Sequence, residues 1–191
     1  MDISEITERK VVQEANCFAI TSGFKELLTN HPYIEPGNLL EKTIHLDRGD
    51  ARLTYIRQPF LFSRAPLTIT AAVTDMKRRK LATNDVVFWD EGQNIAVDMS
   101  LFVEEEFQSE GLGTGLAFSG VIEDAIIRYP ELQGRLVMGR VVDAASGRVD
   151  KNGRFIKRYG WSSNLLRQAG YVRGTQGVWE KVYQYASKKT A

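Results

Sequence analysis

Two glycines near the middle of the chain stand where a backbone could bind phosphate. They belong to the stretch Gln108-Ser-Glu-Gly111-Leu-Gly113-Thr114, which follows the β-favouring run Leu101-Phe-Val103 and opens into residues with helical periodicity. A glycine leaves its backbone N–H uncovered, and the first N–H groups of a helix have no partner within the helix. Because the helix dipole is positive at that end, such a turn can bind the phosphates of a nucleotide-like ligand.

The turn does not match the two most common nucleotide-binding loops. A Walker loop ends with Gly-Lys-Ser/Thr, whereas this turn ends Gly113-Thr-Gly115 and has no lysine. A dinucleotide-binding fingerprint needs a third glycine where this chain has Leu116, and it belongs to a first strand rather than to the second half of a chain. A simple glycine-rich turn that binds no ligand is the alternative interpretation.

The segments around the turn predict a strand, a helix and a second strand. Residues 85–90 and 95–103 form an expected antiparallel hairpin that leads into the turn, and residues 111–128 form an expected amphipathic helix ended by Tyr129-Pro130. Residues 135–142 are almost continuously apolar, which is typical of a central strand. This order of elements predicts a right-handed crossover between parallel neighbours.

The flanking segments predict further helices and strands. Residues 67–74 alternate apolar and polar side chains, which indicates a half-buried strand. Ser22-Gly23 is expected to divide the helical stretch at the N-terminus into two helices. The remaining expected elements are helices within residues 4–30 and near 153–169, and strands over 42–46, 52–56, 171–173 and 178–183.

With its elements in this order, the sequence resembles the GNAT superfamily of acyl-CoA-dependent N-acyltransferases. The family motif is a strand ending near Val, then Gln or Arg, two residues, Gly, one residue, and Gly or Ala opening a helix. Here these positions are Val103, Gln108, Gly111 and Gly113, and the family's late Gly-Phe step resembles Gly170-Tyr171. The resemblance covers about residues 67–183.

The resemblance implies a GNAT-like fold of class α/β (an α+β mixed sheet) in a single domain spanning residues 1–191. Antiparallel strands would precede a βαβ unit with a splayed central strand, and a hairpin would end the domain. Residues 1–66 would lie on the acceptor side, residues 67–183 would form the CoA-binding core, and residues 184–191 would be a tail.

The resemblance also implies acetyl-CoA as the co-substrate and no metal. A bulge after Val103 would splay the strand and free backbone groups for the amides of pantetheine, while N–H groups of residues 108–114 would bind the pyrophosphate. Two distant histidines and a single cysteine form no ligand cluster. The implied cofactor-binding residues are Leu101, Val103, Gln108, Ser109, Glu110, Gly111, Leu112, Gly113 and Thr114.

Acyl transfer to an amine needs a base, a donor to the oxyanion, and a proton for the leaving thiolate. The resemblance implies that a backbone N–H near Val103 donates a hydrogen bond to the oxyanion. Asp98 is the candidate base, one residue out of register with the family's glutamate. Residues 104–106 are three glutamates, read as a solvated bend or a contact for a cationic acceptor. The family's acid is a tyrosine where this chain has Leu166, so Tyr159 or water is the candidate donor, and packing is the other role considered for Tyr159.

Composition restricts the class of protein. The chain has 191 residues, a formal net charge of +1 and one cysteine, which predicts one domain, no general attraction to nucleic acid, and a reducing, cytoplasmic location. The charged N-terminus argues against a signal peptide, and no apolar run is long enough to predict a membrane span. One local patch holds four adjacent cations, Lys77, Arg78, Arg79 and Lys80.

Three functions follow as hypotheses. The first is an N-acetyltransferase that acts on a primary amine of a small molecule or a protein. The second is a GNAT-fold binding or regulatory protein with weak or no catalysis, which the leucine at position 166 favours. The third is a nucleic-acid-modifying relative that would position a phosphate backbone with the cations of residues 77–80.

Overall fold

A single large sheet organises the chain in the computed structural model, which describes residues 3–59, 64–142, 147–149, 155–157, 163–174 and 178–183. Four α-helices are described, namely α1 (Ile3–Thr29), α2 (Leu112–Ala117), α3 (Val121–Arg128) and α4 (Ser163–Gln168). The strands are β1 (Leu39–Leu46), β2 (Gly49–Gln58), β3 (Leu67–Asp75), β4 (Lys80–Glu91), β5 (Asn94–Val103), β6 (Leu136–Val142), β7 (Gly147–Val149), β8 (Phe155–Lys157), β9 (Val172–Arg173) and β10 (Val178–Tyr183).

Eight of these strands form one mixed sheet in the order β1-β2-β3-β4-β5-β6-β10-β9, and β7 pairs with β8 separately. Strands β1 to β5 are antiparallel neighbours joined in chain order. β5 and β6 are parallel, and α2 and α3 lie between them in the sequence, so the expected parallel strand–helix–strand unit is confirmed. β10 then pairs antiparallel with both β6 and β9.

The core lies between the sheet and helices α1, α2 and α3. The apolar side chains of these helices and of the central strands form one buried cluster, and a smaller cluster joins α4 to β6 and β10. Within the described residues, no helix combines the length and the apolar composition needed to cross a bilayer. Prominent members of the main cluster are Ile20, Phe24, Leu53, Phe88, Val97, Leu112, Leu116 and Ile126.

The N-terminal stretch is one helix, so the expected division at Ser22-Gly23 is wrong. The hydroxyls of Thr21 and Ser22 bind carbonyls one turn earlier in the same helix instead of capping a new one. A Cβ at Gly23 would lie 2.5 Å from Leu53 Cδ1 and 2.9 Å from Ile44 Cγ2. The glycine therefore lets α1 approach the sheet closely rather than ending a helix.

Replacing Gly23 by alanine should lower the free energy of unfolding by about 1–2 kcal/mol. Alanine favours an isolated helix by about 1 kcal/mol over glycine, so propensity alone predicts the opposite sign. Urea unfolding of Gly23→Ala would show which sign of the stability change is correct. Glu14→Ala, on the exposed side of α1, is the control. A more stable Gly23→Ala protein would contradict the close packing of α1 on β1 and β2.

Three other expectations differ from the structure. The helix predicted over 111–128 is broken between α2 and α3, where Gly120 adopts φ +73° and Ser119 Oγ donates to the Leu116 carbonyl at 2.7 Å. β3 is buried along most of both faces rather than half-buried. Residues 155–157 are a strand rather than the start of a helix, because they pair with β7.

Candidate functional site

β5 and β6 pair with each other over only part of their length. Their parallel register runs from Asn94↔Leu136 to Asp98↔Arg140. Beyond that point β5 pairs with β4 as far as Val103, and β6 pairs with β10 as far as Val142. Among the described residues, no strand pairs with the edge of β5 that faces β6 after Asp98, and the Val103 carbonyl accepts a hydrogen bond from Gln108 Nε2. Met99 and Leu101 are the positions of this edge that could pair with a ligand.

The opening differs from the expected bulge after Val103. The register of β4 and β5 continues without a shift up to Val103, and Glu104 N–H still donates to the Leu81 carbonyl at 2.9 Å. β5 is thus regular, and its parallel pairing with β6 ends at Asp98. β6 continues to pair with β10 as far as Val142.

A cavity of about 100 Å³ lies beside this opening. Its floor includes Met99 of β5 and Asn84 of β4, and its walls come from the junction of α2 and α3 and from Tyr171 and Tyr183. Asn84 is 2% exposed, and its Oδ1 accepts no hydrogen bond from any described residue. A buried acceptor without a donor costs about 1–3 kcal/mol, so this oxygen is an acceptor for a water or a polar ligand in the cavity.

Two tyrosine hydroxyls form the polar wall of the cavity. Tyr171 Oη donates to Met99 Sδ at 3.3 Å and lies 2.9 Å from Tyr183 Oη. Burial raises the pKa of Tyr171 to about 12, against the lowering effect of its hydrogen bond with Tyr183. Burial, followed by the neighbouring Tyr171, also raises the pKa of Tyr183. Both hydroxyls therefore keep their protons at neutral pH.

A charged pair closes the outer side of the same cavity. Lys181 Nζ lies 3.2 Å from Glu123 Oε1 and 4.4 Å above the centre of the Tyr183 ring. Sequence patterns did not single out Lys181, Glu123, Tyr183 or Asn84, because these residues come from three elements that are distant in the chain, namely β10, α3 and β4. The one local signal is Gly139, an isolated glycine inside a central strand.

The glycine turn is held by α1. Gly111 precedes the first residue of α2 and has φ +83°, and a Cβ there would lie 2.3 Å from the Gln13 carbonyl oxygen. The side-chain amides of Gln13 and Asn16 donate to the Ser109 and Glu110 carbonyls at 2.6 and 3.0 Å. Packing between protein segments thus explains the glycine at 111, so its presence alone does not indicate a phosphate site.

The other residues of the turn lie close to β5. A Cβ at Gly113 would lie 3.0 Å from Val103 Cγ2 and 3.5 Å from Leu101 Cδ2, so these predicted residues meet at one place. Gln108 Nε2 donates to the Val103 carbonyl at 3.4 Å. In the part of the chain that the structure describes, no side chain caps α2, so the N–H groups of its first turn, residues 112–114, have no capping acceptor.

Ion pairs hold the acidic bend that connects β5 to the turn. Arg48 pairs with the Glu110 carboxylate, donates to the Glu106 carbonyl at 3.2 Å, and lies 4.9 Å from the centre of the Phe107 ring. Arg79 pairs with the Glu106 carboxylate. Burial raises the pKa of Glu110, although the Arg48 charge opposes that shift. The bend is therefore a fixed part of the fold.

These ion pairs also involve the predicted cationic patch. Arg78 lies 3.3 Å from the Glu41 carboxylate, and Arg79 is bound to Glu106. Two of its four cations are thus balanced by carboxylates, which weakens their attraction for a phosphate backbone. In the described part of the chain, His, Cys, Asp and Glu side chains form no group of three or more that could hold a metal ion.

Of the two predicted catalytic residues, Asp98 and Tyr159, the structure describes only Asp98. Asp98 is exposed at the last paired position of β5, and strand alternation places it on the sheet face opposite Met99 and the cavity. Arg140, its partner in register, directs its guanidinium to Glu91 at 3.0 and 3.3 Å. Tyr159 lies outside the described residues. Leu166, where the GNAT family has its tyrosine, is fully buried in the smaller apolar cluster.

Comparison of the chain with known proteins does not assign a family. No protein-family model matches it, and a search of curated proteins found no match.

Proposed function

We propose that the protein is an acyl-CoA-dependent N-acyltransferase that moves an acetyl group from acetyl-CoA to a primary amine. The observation that carries the proposal is the opening between β5 and β6 after Asp98↔Arg140, with the cavity beside it. An extended ligand that carries amides, such as pantetheine, can pair with the free edge of β5 as an added strand would. A simple glycine turn would not require this opening.

The first turn of α2, the edge of β5 and the cavity follow one another, so together they could bind such a ligand in an extended conformation. α2 follows β5 after the acidic bend, so the open N–H groups of residues 112–114 lie near the end of β5, where Gly113 meets Val103. These N–H groups would bind the pyrophosphate, and the edge of β5 at Met99 and Leu101 would bind pantetheine. The cavity near Met99 would then hold the thioester end, with Asn84 as a polar contact.

The thioester supplies an activated acyl group, and the chain would supply binding, orientation and proton transfer. Asp98 and the cavity lie on opposite faces of the sheet at the same opening, so an amine and a thioester could approach from two sides. Asp98 would accept a proton from the ammonium, and a backbone N–H of the free β5 edge would donate to the carbonyl oxygen.

A second candidate is a protein that binds CoA and acts through contacts, with weak or no catalysis. The buried Leu166 favours it, because the tyrosine expected there from the GNAT resemblance is absent. Binding without release of thiol from acetyl-CoA, over a panel of amines, would favour this alternative. The nucleic-acid-modifying alternative is less favoured, since Arg78 and Arg79 are already paired.

Acetyl-CoA at about one hundred times its dissociation constant should stabilise the protein by about 2.7 kcal/mol and raise Tm by about 5 °C or more. Ala117→Phe, which would fill the cavity at the end of α2, should abolish this rise without unfolding the chain. Ile127→Phe, at an exposed apolar position of α3, is the matched control. Tm values of the wild-type protein that do not respond to acetyl-CoA would refute the proposal.

A further inference from the structure

β1 is a long edge strand of the sheet. Within the described residues it stands at one end of the sheet order, with β2 as its only neighbour. Its eight residues, Leu39–Leu46, pair with β2 in continuous register and include no proline and no bulge. At the other end of the sheet, β9 has only two residues. The outer side of β1 is therefore an edge on which a further strand can form.

Alternate residues of β1 direct their backbone groups to that outer side. The hairpin of β1 and β2 closes at Leu46↔Gly49, across the two-residue turn of Asp47 and Arg48. A closing pair of this kind exchanges its N–H and C=O groups, and such pairs alternate along an antiparallel ladder. The even-numbered residues of β1 are thus bound to β2. The backbone groups of residues 39, 41, 43 and 45 point outward.

The charged side chains of β1 are balanced within the chain. A lysine in an edge strand usually opposes further pairing. Here Lys42 Nζ lies 2.7 Å from the Glu26 carboxylate, so the ammonium is held against α1 on one face of the sheet. Glu41 lies 3.3 Å from the guanidinium of Arg78, in the loop after β3. Neither charge is directed at the outer edge by an unbalanced position, and the edge stays open to a strand.

We propose that the outer edge of β1 pairs with β1 of a second copy of this chain, antiparallel and about a two-fold axis at Thr43. A two-fold contact places one surface against its own copy, so the strand has to complement itself. With Thr43 opposite the partner's Thr43, the outward backbone groups of both strands meet. The same register sets Glu41 opposite the partner's His45. His45 Nδ1 lies 3.0 Å from Asp50 Oδ1, so Nε2 is the atom that would reach the partner's carboxylate.

Side chains favour this register over its neighbours. Opposed threonines and opposed unlike charges are favourable cross-strand pairs, whereas opposed like charges are unfavourable. A slip of two residues in one direction would set Lys42 opposite the partner's Lys42. The same slip in the other direction would set Glu41 opposite the partner's Asp47. The register centred on Thr43 avoids both pairs of like charges, and it brings the exposed side chains of residues 41, 43 and 45 into contact on one face.

A disulfide would report the register directly. Full-length Thr43→Cys and His45→Cys proteins, each also carrying Cys17→Ser, are oxidised under the same conditions and separated without reductant. Opposed residues that exchange hydrogen bonds have Cα atoms about 5.5 Å apart, which is within the range of a disulfide. Position 43 should therefore cross-link two copies. The two residues at position 45 would be about 13 Å apart along the strands, so the His45→Cys protein is the matched control and should not cross-link.

The association itself is measured by sedimentation equilibrium. The wild-type chain should form a dimer as its concentration rises. Thr43→Lys sets two like charges opposite each other at the two-fold axis, so it should raise the dissociation constant of the dimer about fivefold or more. Thr29→Lys adds the same charge at an exposed position of α1 and should leave the dissociation constant unchanged.

Three results would overturn the proposal. They are a wild-type chain that stays monomeric at every concentration, a dimer that Thr43→Lys does not weaken, and a cross-link at position 45 as strong as that at position 43. If Thr43→Lys does not fold, the comparison of positions 43 and 45 decides alone. Three strands separate β1 from β5, so binding of acetyl-CoA is a separate measurement whose result does not bear on this pairing.

Discussion

Replacing Gly111 by alanine should lower the free energy of unfolding by about 3 kcal/mol, the largest effect expected for a methyl group added at any of the described glycines. The left-handed backbone of Gly111, with φ +83°, costs a non-glycine residue about 1 kcal/mol or more. The added Cβ would also lie 2.3 Å from the Gln13 carbonyl oxygen, which belongs to a helix backbone and cannot rotate away. Either α1 or the turn must move.

Gly92→Ala separates these two causes. Gly92 has φ +82°, nearly the same backbone conformation, and nothing lies within 4 Å of a Cβ built there. Urea unfolding of both variants gives the backbone cost from Gly92→Ala and the cost of the α1 contact from the difference. Equal effects at the two glycines would mean that α1 does not pack on the turn as described.

The Gly111 variant also connects the fold to the site. The amides of Gln13 and Asn16 bind the carbonyls of residues 109 and 110, so displacing α1 would release the turn that presents the open N–H groups of α2. We therefore expect weaker acetyl-CoA stabilisation in Gly111→Ala than in Gly92→Ala. A helix that is remote in sequence would thus act on the proposed pyrophosphate site through the turn alone.

Glu131→Gln should lower the free energy of unfolding by about 2–3 kcal/mol, although Glu131 is at the surface. Its carboxylate lies 2.6 Å from Arg57, whose side chain is only 5% exposed. The guanidinium also lies 4.5 Å from the centre of the Tyr129 ring and reaches the Ile34 carbonyl at 3.4 Å. Without Glu131, a buried positive charge keeps only neutral partners, which do not offset its desolvation.

Replacing Arg57, the other partner of this ion pair, should lower the free energy of unfolding by less. Arg57→Met removes the buried charge and leaves a carboxylate that water can reach, and methionine fills much of the same space. Adding Arg57→Met to Glu131→Gln should recover part of the lost stability, as a double-mutant cycle would show. Glu41→Gln, which breaks the exposed pair with Arg78, is the surface control and should change stability by about 0.5 kcal/mol or less. A Glu131→Gln effect no larger than this control would contradict the account.

The opening between β5 and β6, rather than the glycine turn, is the feature that best supports a ligand site. The glycines of the turn were expected to let a backbone approach phosphate, but Gly111 and Gly113 each face a neighbouring protein segment. What remains of the phosphate hypothesis is the uncapped first turn of α2. The stronger feature is the end of pairing between β5 and β6, beside which a buried amide and two hydroxyls line one cavity.

Local patterns sufficed for most elements and for the parallel pairing of β5 with β6. Alternation, helical periodicity and turn residues depend on neighbours within a few positions, so the sequence could place the strands of the meander and the turn after Val103. Local patterns gave a wrong prediction where contact with a distant segment determines the structure. In the sequence Gly23 resembles a helix break. The structure shows that a glycine is needed there because Leu53 of β2 and Ile44 of β1 approach the helix closely.

The sequence by itself determined the order of the elements, the position of the glycine turn and the resemblance on which acetyl-CoA rests. Only the tertiary structure decided where the pairing of β5 with β6 ends, because the pairing of strands that are distant in the chain depends on the whole sheet and not on local patterns. It also brought Asn84, Tyr171 and Tyr183 together from β4, the residue before β9, and β10. No spacing in the chain encodes that meeting, since sheet order rather than sequence distance makes these residues neighbours.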